Sequence, residues 1–222
     1  MEVDIRYRNR LKNEIIELYK VDPHKIKVIY NAIDKQKFNR NKINAGSKLV
    51  LYVGRLSIQK GVDHLIMAFK IVSDIDKDAI LGIAGEGPEL NNLINLTIDL
   101  NINNKVVFFG RVSDEELEQL YQIARVFVMP SVSEPFGITA LESLASKTPT
   151  IISIQSGVSE VINNVFKINF WDSYQMADII LGILQYPAVG EEISRNAYNE
   201  LMNITWENSA QKFIDLYNSL TH

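Results

Sequence analysis

The sequence contains no cysteine and only three histidines, at positions 24, 64 and 222. Disulfide bonds and a thiol nucleophile are therefore excluded, and the wide spacing of the histidines does not fit a metal site. The net charge is −4, whereas a nucleic-acid-binding protein usually carries a basic face. The 222 residues contain neither a run of eighteen apolar residues nor a signal-peptide pattern. These absences predict a cytoplasmic protein that binds no nucleic acid.

Strand and helix patterns alternate along most of the chain. From residue 48 onward, five short apolar runs are separated by amphipathic helical patterns; in order, the runs are KLVLYVG, AILGIAG, KVVFFG, RVFVMP and TPTIIS. Strands that are apolar throughout and separated by helices are typical of a buried parallel sheet with right-handed crossovers. We therefore predict an α/β fold with a doubly wound, Rossmann-like parallel sheet. In such a sheet the ligand lies at the carboxyl ends of the strands.

The residues before and after this region are organised differently. A charged helical pattern spans about Arg6 to Lys20, with Leu18 and Tyr19 on its apolar face, and a short strand follows within KIKVIYNAID. The polar segment KQKFNRNKINAGS is the predicted boundary. The chain is thus divided into a lead-in (1–47), a ligand-binding domain (48–204) and a C-terminal helix (205–222).

Local signals predict where two of the helices begin. Ser113 and Glu116 have the spacing of a capping box. Pro88 is predicted to begin another helix, where its missing N–H costs nothing.

The first loop after a predicted strand, GRLSIQKG, carries Arg55 and Lys60. Two cations beside a helix N-terminus form an anion site, because backbone N–H groups and the helix dipole add to the side-chain charge. Two solvated surface cations are the alternative, and the residues alone leave both interpretations open.

Two further loops at the same predicted edge are weaker candidates. Gly85 and Gly87 begin a dinucleotide-like pattern, but Leu90 occupies the third glycine position, so the G-x-G-x-x-G fingerprint fails. A tight turn, or close approach of the backbone to a ligand, explains the pair. Arg111 and Val112 follow a strand and border either a nucleotide or solvent.

The fourth loop leads into the segment SEPFGITALE. Glu134 is predicted in the loop and Glu142 in the first or second turn of the following helix, with the amides of Phe136, Gly137 and Ile138 between them. A carboxylate can accept two hydroxyl groups of a sugar, and the amides suit a phosphate. Alternatively, Glu134 caps the helix and Glu142 pairs with a neighbouring cation.

This segment resembles the E-x7-E motif of retaining glycosyltransferases of family 4, also called group 1. Five other segments resemble that family in the same order, and together they extend from about Val21 to Tyr217; they are KIKVIYNAIDKQKF, YVGRLSIQKG, GEGPE, FFGRVSDEELEQLYQIARVFVMPS and TWENSAQKFIDLY. The resemblance implies that the chain is the C-terminal, donor-binding half of a two-domain GT-B enzyme. The family's Asn-Gly pair is Asn31-Ala32 here.

The resemblance also implies roles for individual residues. Arg55, Lys60 and Glu134 would be catalytic, with the two cations on the diphosphate and Glu134 on hydroxyls of the transferred sugar. The implied nucleotide-sugar-binding residues are Gly54, Gly85, Gly87, Arg111, Val112, Phe136, Gly137, Ile138, Thr139 and Glu142. Among these, Glu142 would hold the ribose. No cofactor or metal is implied, and we expect the D-x-D sequence at Asp74 to Asp76 to be a solvated surface turn.

The implied partners are a nucleoside-diphosphate sugar and a glycan or lipid-linked acceptor. The acceptor would bind an N-terminal domain that this chain lacks, so we expect nucleotide binding without transfer. Membrane association of the full-length protein, at the inner face, stays open, as do the base, the sugar and the acceptor. The other hypotheses are a non-catalytic sugar-nucleotide-binding module, a nicotinamide-dependent oxidoreductase, and a glycosidase using Glu134 and Glu142 as acid and base.

Overall fold

The computed structural model describes residues 4–6, 9–38 and 46–221. Within these ranges the strands are β1 (Asp4–Arg6), β2 (Ile26–Val28), β3 (Leu49–Val53), β4 (Ile80–Ala84), β5 (Val106–Gly110), β6 (Val126–Met129), β7 (Thr150–Ser153) and β8 (Phe166–Ile168). The α-helices are α1 (Asn9–Tyr19), α2 (Lys35–Phe38), α3 (Val62–Ile75), α4 (Leu90–Asp99), α5 (Asp114–Ile123), α6 (Ile138–Ala145), α7 (Ser173–Gln185), α8 (Pro187–Leu201) and α9 (Trp206–Thr221). In the described part of the chain, no helix combines the length and apolarity needed to cross a bilayer.

Strands β3 to β8 form one parallel sheet in the order β5-β4-β3-β6-β7-β8. The chain enters at β3, adds β4 and β5 on one side, and then returns to add β6, β7 and β8 on the other. Strand order therefore reverses between β3 and β6, which is where open α/β sheets bind ligands. The predicted doubly wound parallel fold is confirmed. The sequence did not indicate β8, because three residues are too few to show a periodic pattern.

Burial on both faces explains why the central strands are apolar throughout. In β3, Val50 and Tyr52 belong to one core cluster, with residues of α3, α4 and α7, while Leu51 and Val53 belong to another, with residues of α5, α6 and α8. Every second side chain thus faces a different helical layer. The two layers pack on the faces of the sheet and leave the carboxyl ends of its strands to the loops.

The capping box is confirmed. The side chain of Ser113 accepts a hydrogen bond from the Glu116 amide at 3.2 Å, and the Ser113 amide donates to the Glu116 carboxylate at 2.7 Å. The prediction for Pro88 is wrong, because this residue lies in a turn and α4 begins at Leu90.

The N-terminal helix is shorter than predicted. It begins at Asn9, because Arg6 pairs with Val28 in the small parallel sheet of β1 and β2. Leu18 and Tyr19 are each 74% exposed, so the predicted apolar face does not extend to the end of α1. The sequence pattern could not reveal that β1 occupies the start of this segment.

The segment before residue 48 contributes to the core on one face of the six-stranded sheet. Ile33 and Phe38 are buried in the cluster that contains α5 and α6, and the Phe38 ring lies 6.0 Å from the ring of Tyr121. Residues 39–45 of the predicted linker lie outside the described residues. The domain boundary after residue 47 therefore stays a prediction, while α9 occupies the segment predicted as the C-terminal helix.

Candidate functional site

A cleft of about 660 Å³ lies where the strand order reverses, at the carboxyl ends of β3 and β6. Eight of the predicted site residues line it, including all three predicted catalytic residues; the eight are Gly54, Arg55, Lys60, Glu134, Phe136, Gly137, Ile138 and Thr139. The loops after two neighbouring strands therefore bring together residues that are far apart in sequence.

Main-chain hydrogen bonds join the loop after β3 to the loop after β6. The amides of Val132 and Ser133 donate to the carbonyl oxygen of Gln59 at 2.9 and 3.2 Å. Gly61 adopts a φ of 62°, and a Cβ at this position would lie 2.3 Å from the Pro130 carbonyl oxygen. Only glycine permits so close an approach in this left-handed conformation. The two loops are thus held against each other next to Lys60.

Main-chain hydrogen bonds also join the loop that carries Glu134 to the segment after β7. The Gly157 amide donates to the Glu134 carbonyl at 3.1 Å, and the Val158 amide donates to the Phe136 carbonyl at 2.6 Å. A Cβ at Gly157 would lie 2.2 Å from the carbonyl oxygen of Pro135. The segment that carries Glu134 is therefore fixed from both sides, which preorganises its carboxylate at the cleft.

Lys60 and Glu134 form an ion pair within the cleft. Their side chains are only 26% and 13% exposed. The Glu134 carboxylate also accepts from the Phe136 amide at 3.4 Å, but Phe136 precedes α6, so this bond does not cap the helix as the alternative interpretation expects. The pair concentrates a positive and a negative group at one point, where an anion and a hydroxyl-bearing ligand could each be bound.

A buried tyrosine supports the loop that carries Arg55. The hydroxyl of Tyr52 donates to the Arg55 carbonyl oxygen at 3.0 Å. Burial, and secondarily the negative charge of Glu134, raise the pKa of Tyr52, so its hydroxyl keeps its proton. Tyr52 therefore fixes the main chain at Arg55, whose side chain is exposed.

The N-terminus of α6 also faces the cleft. Gly137 precedes the helix with a φ of 110°, and a Cβ there would lie 2.8 Å from the Met129 side chain. The amides of Ile138 and Thr139 lie in the first turn, where they have no acceptor within the helix. The positive end of the helix dipole therefore adds to the charges of Arg55 and Lys60. This combination suits a phosphate or diphosphate.

Glu142 lies one turn further along α6 and is not among the cleft-lining residues. Its carboxylate accepts from the Tyr121 hydroxyl at 3.0 Å. Burial raises the pKa of Glu142, although the Tyr121 hydrogen bond and the charge of Lys37 act in the opposite direction. Lys37 itself forms its ion pair with Asp114, at 2.6 Å. The ribose-binding role of Glu142 stays a prediction.

Four other predicted residues lie outside the main cleft. Arg111 and Val112 border a separate hollow of about 230 Å³ beside β5 and α5. A Cβ at Gly85 would lie 1.9 Å from the Gly54 carbonyl oxygen, and one at Gly87 would lie 2.1 Å from that of Leu56. Contact between neighbouring loops thus accounts for both glycines, and their part in ligand binding stays a prediction.

The cleft includes polar residues that the sequence patterns did not single out. The sequence did not indicate a role for Tyr52, because this residue lies within an apolar run that predicts a buried strand. Gln59 and Ser131 are residue types that occur on any surface, and Asn31 was noted only at the position of the family's Asn-Gly pair, without a role in the site. The only available signal was the position of Ser131 directly after a strand, at the ligand edge of the sheet.

The D-x-D sequence is only partly solvated. Asp74 is exposed and pairs with Lys70 at 2.7 Å, as expected for a surface helix. The side chain of Asp76 is only 11% exposed and pairs with Lys48 at 2.8 Å, so the prediction of a solvated residue is wrong there. Over the described ranges, no group of three or more acidic or histidine side chains is arranged to hold a metal ion.

Comparisons with known proteins agree with this architecture. Residues 33–200 match the family described as glycosyl transferases group 1. An uncharacterised glycosyltransferase of Methanocaldococcus jannaschii is 35% identical, over 93% of this chain and 57% of the relative. Glycogen synthase of Mycobacterium tuberculosis is 32% identical, over 93% and 51%.

Solved structures show the same fold. Anabaena HepE, crystallised with UDP and glucose, matches with a TM-score of 0.88 and 20% identity, over 98% of this chain and 63% of that one. The chain spans about half the length of the curated relatives it matches.

Proposed function

The chain belongs to the group 1 glycosyltransferases, and on that premise we propose that its cleft binds a nucleoside-diphosphate sugar for retaining transfer of the sugar. The observation that carries the proposal is the meeting of Arg55, Lys60 and the N-terminus of α6 around one cleft. Two cations and a helix N-terminus suit the diphosphate. The carboxylate of Glu134, fixed beside them, suits hydroxyl groups of the sugar.

In the proposed reaction, the bond between the anomeric carbon and the diphosphate oxygen breaks while an acceptor hydroxyl oxygen bonds to that carbon on the same face, and the hydroxyl proton passes to the leaving diphosphate. Negative charge develops on the leaving oxygen as its bond breaks. Arg55 and Lys60 stabilise that charge more strongly in the transition state than in the ground state, which accelerates the reaction. Lys60 exchanges its ion pair with Glu134 for the diphosphate. The carboxylate of Glu134 then accepts hydrogen bonds from the sugar. The two cations and the N-terminus of α6 offset much of the negative charge of the leaving group, so the proposed transfer is metal-independent.

The remaining predicted residues have roles around the nucleotide. Glu142 binds the ribose hydroxyls, and the strand end at Arg111 and Val112 borders the base. The loop that contains Gly85 and Gly87 packs closely against the loop after β3, so its main chain leaves room for the nucleotide beside it. These assignments are supported by the family motifs and, for Arg111 and Val112, by their position directly after β5 at the ligand edge of the sheet.

The acceptor is proposed to be a glycan or a lipid-linked molecule, bound largely outside the residues of this chain. The support is that the curated relatives extend well beyond the region they share with it. On this proposal the chain binds nucleotide without transferring sugar. A cytoplasmic location, at the inner face of the membrane for a lipid acceptor, belongs to the same proposal.

The arrangement of carboxylates favours a donor site over a glycosidase site. A glycosidase places its two carboxyl groups on either side of one scissile bond. Here Glu134 lines the cleft, whereas Glu142 is hydrogen-bonded to Tyr121 and does not line it. A non-catalytic sugar-nucleotide-binding module would use the same cleft, and sugar transfer by the full-length protein distinguishes it.

The proposal is tested by calorimetric titration with UDP, GDP, ADP and dTDP. We expect one of them to bind and, at a hundredfold excess over its Kd, to add about 2.7 kcal/mol to the free energy of unfolding. Lys60→Gln should weaken that binding. Lys70→Gln is the matched control, because Lys70 pairs with Asp74 outside the cleft. Failure of all four nucleotides to bind would overturn the donor-site proposal.

A further inference from the structure

A buried serine at the wall of the cleft has no part in the roles described so far. Ser131 follows β6, lines the cleft and has an exposure of 0%. Its Oγ has no hydrogen-bond partner among the residues that the structure describes. Nearly all buried polar groups in proteins are hydrogen-bonded, and an unsatisfied one is unfavourable. The hydroxyl of Ser131 therefore lacks a partner among the described residues, and its residue forms part of the cleft wall, where a bound ligand would be its neighbour.

The backbone holds this hydroxyl in a fixed position. The side chain of Ser153 donates to the Ser131 carbonyl oxygen at 2.6 Å, and that of Ser156 donates to the Ser153 carbonyl at 2.6 Å. On the other side, the Val132 amide donates to the Gln59 carbonyl at 2.9 Å. The loops after β3 and β7 thus fix the main chain around Ser131, and a ligand contacts its buried hydroxyl when neighbouring side chains of the cleft move.

We propose that the Oγ of Ser131 forms a hydrogen bond with a hydroxyl group of the transferred sugar and helps to select that sugar. This inference rests on the proposed donor site. A serine hydroxyl both donates and accepts, as a sugar hydroxyl does, whereas a phosphate oxygen only accepts. Arg55, Lys60 and the α6 amides already supply donors for the diphosphate. Glu134 lies three residues further along the same loop, so the two side chains together would hold the sugar.

The chain provides a matched control for this residue. Ser146, at the end of α6, is 1% exposed, and its Oγ also has no partner within the described ranges. Ser146 does not line the cleft. Because Ser131→Ala and Ser146→Ala each remove an unsatisfied buried hydroxyl without adding atoms, neither should lower the melting temperature. Only Ser131→Ala should affect the ligand.

The experiment measures the Kd of UDP and UDP-glucose, GDP and GDP-mannose, ADP and ADP-glucose, and dTDP and dTDP-glucose for the original protein and both variants. For the pair that binds, we expect Ser131→Ala to weaken binding of the nucleotide sugar about tenfold and to leave the nucleoside diphosphate unchanged. Ser146→Ala should change neither value.

Three results would overturn the inference while leaving the donor site intact. They are an unchanged Kd for the nucleotide sugar in Ser131→Ala, an equal loss for the nucleotide sugar and the nucleoside diphosphate, and a lower melting temperature than that of Ser146→Ala. The last would reveal a structural partner for the hydroxyl. Failure of every nucleotide to bind the original protein would overturn the donor site, and this inference with it.

Discussion

Exchange of the Lys60–Glu134 ion pair on ligand binding leads to an unusual expectation for Glu134→Gln. A diphosphate must take Lys60 away from the Glu134 carboxylate, and that carboxylate also repels the incoming anion. Glutamine keeps the shape of the side chain and removes its charge. We therefore expect Glu134→Gln to bind the nucleoside diphosphate more tightly than the original protein, although it removes a residue proposed to be catalytic.

The burial of the pair sets the size of the effect. Exposed ion pairs contribute up to about 1 kcal/mol, whereas removing one partner of a fully buried pair costs about 3–5 kcal/mol. With side chains 26% and 13% exposed, this pair lies between these limits, at about 1–3 kcal/mol. That free energy corresponds to a decrease in Kd of about 5- to 150-fold. The ligand-free variant should melt lower, by about 2–4 °C per kcal/mol for a chain of this size.

Calorimetric titration of the nucleoside diphosphate and its nucleotide sugar measures both parts of the effect. In the variant, the additional affinity contributed by the sugar should shrink, because the glutamine amide is a weaker acceptor than a carboxylate. Asp74→Asn is the control, since it breaks the exposed Lys70–Asp74 pair outside the cleft and should leave both values unchanged. Weaker or unchanged binding of the nucleoside diphosphate by Glu134→Gln would refute the exchange of Lys60 between carboxylate and diphosphate.

Two further predictions concern Glu142 and Lys60. Because burial raises the pKa of Glu142, the folded state disfavours its ionised form, and its contribution to stability falls as the pH rises through the folded pKa. Thermal melts should therefore show a higher melting temperature for Glu142→Gln than for the original protein at pH 7, and the difference should disappear below about pH 4. The same variant should bind nucleotide more weakly, and an unchanged nucleotide affinity would contradict the ribose assignment. Lys60→Ala should lower sugar transfer by the full-length protein about 100-fold in a steady-state assay, with Lys70→Ala as its control. A near-original rate would exclude Lys60 from the reaction.

Much of the fold could be predicted because its signals are local. The apolar run of β3 and the capping box at Ser113 and Glu116 depend on residues within a few positions of each other, and both appear in the structure as expected. The three-residue strand β8 was too short to show a pattern, and the pairing of β1 with β2 depends on a distant segment. The burial of Asp76 was also missed, because β3 and α3 separate it in the sequence from its partner Lys48.

The sequence by itself determined which loops follow the strands and which chemical groups they carry, and its motifs indicated the family. Only the tertiary structure decided which groups meet. Lys60 and Glu134 are 74 residues apart and form an ion pair, because β3 and β6 are neighbours where the strand order reverses. Glu142 is close to Glu134 in sequence but turns toward Tyr121, and Ser131 was unremarkable until its buried hydroxyl proved to have no partner in the described chain. Local patterns specify elements and caps, whereas the partner of a side chain depends on long-range strand order and packing.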